Sequence, residues 1–146
     1  MDLTVTVYTS FSGMDAFDKI KIVDFFEKND TKLNNEHLEA SISAALKIVP
    51  SFGGIIITLS NAGGLMAAAV INFTGMKPYF PASFITHVAL QKNQEDQKTL
   101  ADKLIEAIKG QANEEFCMLL KTTHPLYKFF KATSFKEKGR FISTEG

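Results

Sequence analysis

Three histidines, His37, His87 and His124, and one cysteine, Cys117, are the side chains of this chain best suited to move a proton, hold a metal or attack a carbonyl. Imidazole changes charge near pH 6.5, so histidine can act as acid, base or ligand at neutral pH. The three histidines are far apart in sequence and show no metal-ligand spacing, so no metal site is expected. Cys117 has no partner for an internal disulfide. It lies in the apolar run Phe116-Cys117-Met118-Leu119-Leu120, where nothing adjacent would lower its pKa, and reads as a small buried hydrophobe rather than a nucleophile. His124 precedes Pro125 and Tyr127, and an imidazole there is suited to capping a short helix. Tyr127 has the body to pack and the hydroxyl to carry a proton.

The chain that must position these groups has 146 residues, 45% of them hydrophobic, and its 16 basic side chains balance 16 acidic ones. At this size a domain buries roughly 68–70% of the surface its unfolded chain exposes, so a core can form without disulfides or metal. Zero net charge argues against a surface built to grip nucleic acid or anionic lipid. No stretch reaches the roughly 18 apolar residues of a membrane span, and Asp2 stands where a secretory signal would be basic. With a lone cysteine, a reducing, cytoplasmic location is the expectation, for a mature and soluble chain without nucleic-acid or membrane partners.

Leu3 to Tyr8 alternates with a period near two and predicts an opening strand. Ser12-Gly13-Met14-Asp15 predicts a helix start capped by Ser12, with Phe17, Ile20, Val23 and Phe26 on the inner side and Asn29-Asp30 as the stop. Asn34 or Asn35 then caps a second helix whose stripe is Leu38, Ile42, Ala45, Leu46 and Val49. The β-branched run Ile55 to Leu59, the turn Asn61-Ala62-Gly63-Gly64 and the apolar stretch from Leu65 to Phe73 make a hairpin. Thr74 to Pro81 is a loop with an apolar tip, Tyr79-Phe80, suited to a partner or substrate contact or to folding inward; a third antiparallel strand follows over Ala82 to Leu90. Leu100, Leu104, Ala107 and Ile108 mark a helix from Asp96 to about Lys109, ended by Gly110. Phe116 to Leu120 is a buried, parallel or central strand; Leu126, Phe129 and Phe130 sit on a short helix; a last strand is expected around Arg140 to Ser143.

This order, together with the strand HVAL, the segment QKNQEDQKTLADKLIEAIKG, the strand FCMLL and the ending HPLYKFFKATSFKEKGR, resembles the GNAT superfamily of acetyl-CoA-dependent N-acetyltransferases. The resemblance implies a single α+β domain over 1–146: a central, mostly antiparallel mixed sheet of about six strands flanked by about four helices. It implies acetyl-CoA as cofactor, with its carbonyl polarised by the backbone of Val88, Ala89 and Leu90. The pyrophosphate would lie at the start of the following helix, at Gln97, Lys98, Thr99, Leu100 and Ala101. On the same resemblance His87 takes a proton from the acceptor amine and Tyr127 protonates the departing thiolate. The expected acceptor is a small-molecule or peptide amine. The 11 residues after Phe135 are too few for the family's two closing strands, so the expectation is either a homodimer partner that supplies a strand or an edge that stays open.

Three residues, at two functional places, depart from the family pattern. Thr99 and Asp96 stand where the cofactor loop carries a glycine and a long polar side chain, and Phe130 stands where a tyrosine supplies the proton. The departures leave two functions open: an N-acetyltransferase, or a non-catalytic binding module on the same fold.

Overall fold

A computed structural model of the chain describes residues 2–47, 52–92, 97–111, 116–118, 120, 123–131 and 144. The β-branched and alternating segments form β1 (Thr4–Thr9), β2 (Gly54–Asn61), β3 (Gly64–Phe73), β4 (Ser83–Leu90) and β5 (Phe116–Met118) of one sheet, in the spatial order β1-β2-β3-β4-β5. The first four are antiparallel neighbours, and β5 runs parallel to β4. Gly54 is required where the second helix ends against the sheet, because a Cβ there would run into the Ile71 carbonyl oxygen and sit 3.1 Å from Ala45.

Four helices cover the two faces: α1 (Ala16–Asn29), α2 (Asn35–Leu46), α3 (Gln97–Gln111) and α4 (Tyr127–Lys131). The continuous apolar run of β2 is buried on both sides, as a strand between two helical layers must be. On one side Ile56, Ala68, Val70 and Ala89 pack against Ile22, Phe25 and Phe26 of α1 and Leu38, Ile42 and Ala45 of α2. On the other, Ile57, Leu59, Ala69, Ile71, Val88 and Leu90 pack against Leu100, Leu104 and Ile108 of α3 and against Leu126 and Phe130. No helix among the described residues is long and apolar enough to cross a membrane.

Several local expectations are corrected. The cap of α1 is Asp15, whose carboxylate accepts from the Asp18 N–H at 2.7 Å; Ser12 instead accepts from the Thr9 N–H. The inner stripe of α1 is Ile22, Phe25 and Phe26, and Phe17 and Ile20 are 67% and 61% exposed, since the sheet contacts a stripe rotated away from them. Gly110 lies within α3, which continues to Gln111. Asn34 caps α2 by accepting from the His37 N–H. Tyr79 is 92% exposed at the tip of the loop between β3 and β4, and Phe80 packs on Phe84. β5 is half-buried and, among the described residues, has a single strand neighbour. Val49, Asp96 and the expected strand Arg140 to Ser143 lie outside the described residues.

Candidate functional site

The parallel pairing of β4 with β5 is short: Ser83, Phe84 and Ile85 oppose Phe116, Cys117 and Met118. Leu120, two residues beyond β5, is no longer in a strand, so among the described residues the far half of β4 has a neighbour only on its β3 side. A bulge follows directly after the last paired residue, Ile85. Val70 opposes His87 and Ile71 opposes Ile85, which leaves Thr86 as the extra residue. Its hydroxyl donates to Asn72 Oδ1 at 2.6 Å, and Asn72 in turn donates to the Ser41 carbonyl, tying the bulge to α2.

The phase of the β3–β4 ladder decides which amides reach the open edge. Gln91 N–H donates to the Met66 carbonyl at 2.9 Å, so the opposed pairs alternate from there. The pairs Ala89–Ala68 and His87–Val70 exchange hydrogen bonds, while Val88 and Leu90 turn their N–H and C=O groups away from β3. Of the three residues expected to polarise a carbonyl, Ala89 is therefore removed: its amide is spent on the sheet and its side chain is buried under α1 and α2. Val88 and Leu90 are left with amides directed into the cleft.

His87 lies on the α1 side of β4, its ring edge-on to Phe26 at 6.3 Å between centroids. Its Nδ1 is buried without a hydrogen-bond partner. Burial lowers its pKa below the usual 6.5; the Asp30 carboxylate opposes that shift and His37 adds to it. The imidazole is thus held in the form that accepts a proton. Phe26 and Asp30 are one helical turn apart, so Asp30, which caps the carboxyl end of α1, follows on the face that carries the Phe26–His87 contact. Asn29 fixes that end to the strand by accepting from the Lys92 N–H at 2.8 Å.

His124 enters from the other side of the chain. Its Nδ1 accepts from the Leu126 N–H at 3.1 Å, the capping role expected of it, and its Nε2 stands 4.0 Å from Asp30 Oδ1. Two histidines that sequence spacing separates, His124 by contact and His87 through space, therefore share the Asp30 carboxylate, and among the described residues no three ligating side chains are grouped to hold a metal ion. Asp30 and the through-space role of His37 were missed by sequence reasoning. The only signal was the helix stop Asn29-Asp30, which marks a chain reversal and says nothing of what it faces.

On the α3 side, Gln97 Nε2 donates to the Gln91 carbonyl at 3.1 Å and closes the β4–α3 connection. Lys98 is exposed and 3.8 Å from Asp102; Thr99 is exposed and so fills no pocket with its side chain. Leu100 and Ala101 are fully buried in the core, so their side chains are withdrawn from any ligand and serve packing instead. Tyr127 is half-buried at the start of α4, with Lys131 Nζ 5.9 Å from its ring centre and, among the described residues, no partner for its hydroxyl. Phe130 is in the core. His87 and Tyr127 are not in contact: they belong to elements packed on opposite faces of the sheet.

A mixed sheet whose fourth and fifth strands run parallel, with a bulge in the fourth strand and helices on both faces, is the fold of the GNAT acetyltransferases. The chain is similar in structure to a GNAT-family acetyltransferase from Streptococcus pneumoniae (TM-score 0.62, 12% identity, 99% of this chain and 100% of that one). It is similar also to an aminoglycoside acetyltransferase from an uncultured soil metagenomic sample, solved with sisomicin (TM-score 0.61, 14% identity, 97% and 93% covered). A third similar structure is a transcriptional regulator from Bacillus halodurans (TM-score 0.59, 15% identity, 98% and 100% covered). No protein-family model matches the sequence, and no protein of curated function resembles it significantly.

Proposed function

We propose that this chain transfers an acetyl group from acetyl-CoA to an amine. The observation that carries the reading is the edge of β4 beyond Ile85, where the amides of Val88 and Leu90 point away from β3 beside a desolvated histidine whose Nδ1 has no partner among the described residues. A strand edge of this kind suits an extended ligand with amide groups of its own, which can hydrogen-bond to β4. The start of α3 at Gln97 and Lys98 provides the positive end of a helix for a pyrophosphate. When bound there, acetyl-CoA supplies the activated acyl group.

The chain's own part follows from these positions. Val88 and Leu90 N–H groups are aimed where negative charge develops on the carbonyl oxygen. His87 accepts the proton that the amine nitrogen sheds as its bond to the carbonyl carbon forms and the carbon–sulfur bond breaks. Tyr127 returns a proton to the sulfur. Phe130, which has none to give, stays in the core and favours the competing reading of a binding module without turnover. The two separate in one experiment: acetyl-CoA raises the melting temperature in both if it binds, but only the enzyme releases free thiol when an amine is added. In the enzyme, Tyr127→Phe lowers turnover about tenfold or more and leaves acetyl-CoA affinity unchanged. Acetyl-CoA binding with no thiol release from any amine would leave the binding module.

A further inference from the structure

The end of α1 is an electrostatically unfavourable place for a carboxylate. The helix dipole already makes its carboxyl terminus negative, and Asp30 adds a full charge there with a side chain only 11% exposed. A buried charge needs a close partner. Among the described residues Asp30 Oδ1 has one hydrogen bond, from the Lys32 N–H at 3.0 Å, and the His124 Nε2 at 4.0 Å, beyond hydrogen-bond reach. Lys28 and Lys32 are exposed, and neither pairs its ammonium group with Asp30. Among the described residues no ammonium or guanidinium group thus stands against the carboxylate, and it sits one turn beyond Phe26, whose ring packs edge-on to His87.

We infer that Asp30 receives a positive charge belonging to the acceptor, so that the preferred acceptor is a diamine or polyamine: one end is bound as an ammonium ion at Asp30 while another, uncharged, amine faces His87. This rests on the acetyl-transfer reading for the chemistry, but not for the binding. A single-amine acceptor cannot satisfy both sites, because the nitrogen that attacks must be neutral. His124, 16% exposed, borders the same carboxylate, and since its Nδ1 accepts from the Leu126 N–H its Nε2 faces Asp30 as the donor nitrogen.

The test uses the full chain and two homologous series of probes: propane-, butane- and pentane-diamine, and the monoamines of the same carbon number. Binding is followed by the imidazole C–H resonances of His87 and His124, and transfer by thiol release from acetyl-CoA. The expected result is that one diamine binds about tenfold tighter than its monoamine, the value of a hydrogen-bonded ion pair, and shifts the His124 resonance. Asp30→Asn, which keeps the turn-forming amide, abolishes the preference; His124→Gln leaves it in place. Equal affinity for the two series, or a preference that survives Asp30→Asn, overturns the inference. Diamine-selective binding without thiol release upholds the role of Asp30 and overturns the catalytic reading. Thiol release that does not distinguish the series does the reverse.

Discussion

The two faces of the sheet are built from different materials. Under α3 and α4 the contacts are made by aliphatic and aromatic side chains, from Ile57 and Leu59 through Leu104 and Ile108 to Phe130. Under α1 and α2 the apolar core is interleaved with polar links: the Tyr8 hydroxyl donates to Asp18 at 3.0 Å, Thr86 to Asn72, and Asn72 to Ser41, while His87 is wedged against Phe26. Among the described residues, both side chains whose ionisation is shifted, His87 and Tyr8, lie on this second face. The difference teaches that the buried layer under α3 is apolar packing, with Tyr127 and the start of α3 at its margin, whereas titratable groups are built into the layer under α1 and α2. Substitutions under α3 should change how well the protein folds with little dependence on pH, and substitutions under α1 should change what it does and at which pH.

The largest effect expected on the α1 side is on rate. His87→Gln should reduce turnover by about 10²–10⁴-fold, the usual contribution of a general base, while the unfolding free energy changes little. The matching probe on the other face is Leu104→Ala, which should cost about 2–5 kcal/mol in urea unfolding and leave turnover of the folded fraction intact. A Leu104→Ala variant that loses turnover as steeply as it loses stability would break the division.

Next in size is the pH dependence of stability. The folded pKa of His87 is lowered, chiefly by burial, so between that value and about 6.5 the unfolded chain holds a proton that the folded chain lacks. Stability is therefore fully present above pH 6.5, falls as pH is lowered through this window and levels off below the folded value. Tyr8 works at the other end: its pKa is raised to about 12 by burial and by Asp18, so stability declines as pH rises from 10.0 toward 12. His87→Gln should flatten the acid limb and Tyr8→Phe the alkaline limb, whereas Leu104→Ala should lower the whole curve in parallel. Unfolding midpoints measured across the pH range read all three.

The same two layers differ in how far the sequence alone reveals them. In α3 the apolar residues Leu100, Leu104 and Ile108 share one face with Lys98, Asp102 and Lys103 exposed, so periodicity has a single solution. In α1 apolar side chains occupy more than one stripe. Phe17, Ile20, Val23 and Phe26 repeat as regularly as Ile22, Phe25 and Phe26, and only contact with β3 and β4 chooses between them. The site divides likewise. His87 is recognisable from its place in a strand beside a helix start, but Asp30 reads only as a helix stop, because its approach to His124 joins segments that no local pattern connects. The open β4 edge depends on where β5 departs and on the bulge at Thr86, neither of which leaves a mark in residue type.

The smallest expected effect concerns where α1 begins. A helix capped by Ser12 would start about one turn earlier than one capped by Asp15, while the helical period, and so the stripe of Ile22, Phe25 and Phe26, would stay the same. Asp15 accepts from the Asp18 N–H, one of the first amides of α1 with no partner inside the helix, and its charge also favours the positive end of the dipole. Asp15→Ala should therefore cost about 1 kcal/mol. Ser12 serves the preceding turn, where it accepts from Thr9, and Ser12→Ala should cost less and leave the protection of the Asp18 amide against hydrogen exchange unchanged. If Ser12→Ala is the more damaging and exposes the first turn of α1 to exchange, Ser12 rather than Asp15 is the cap, and α1 gains a turn at its start while Ile22 and Phe26 stay on the face that meets the sheet and His87.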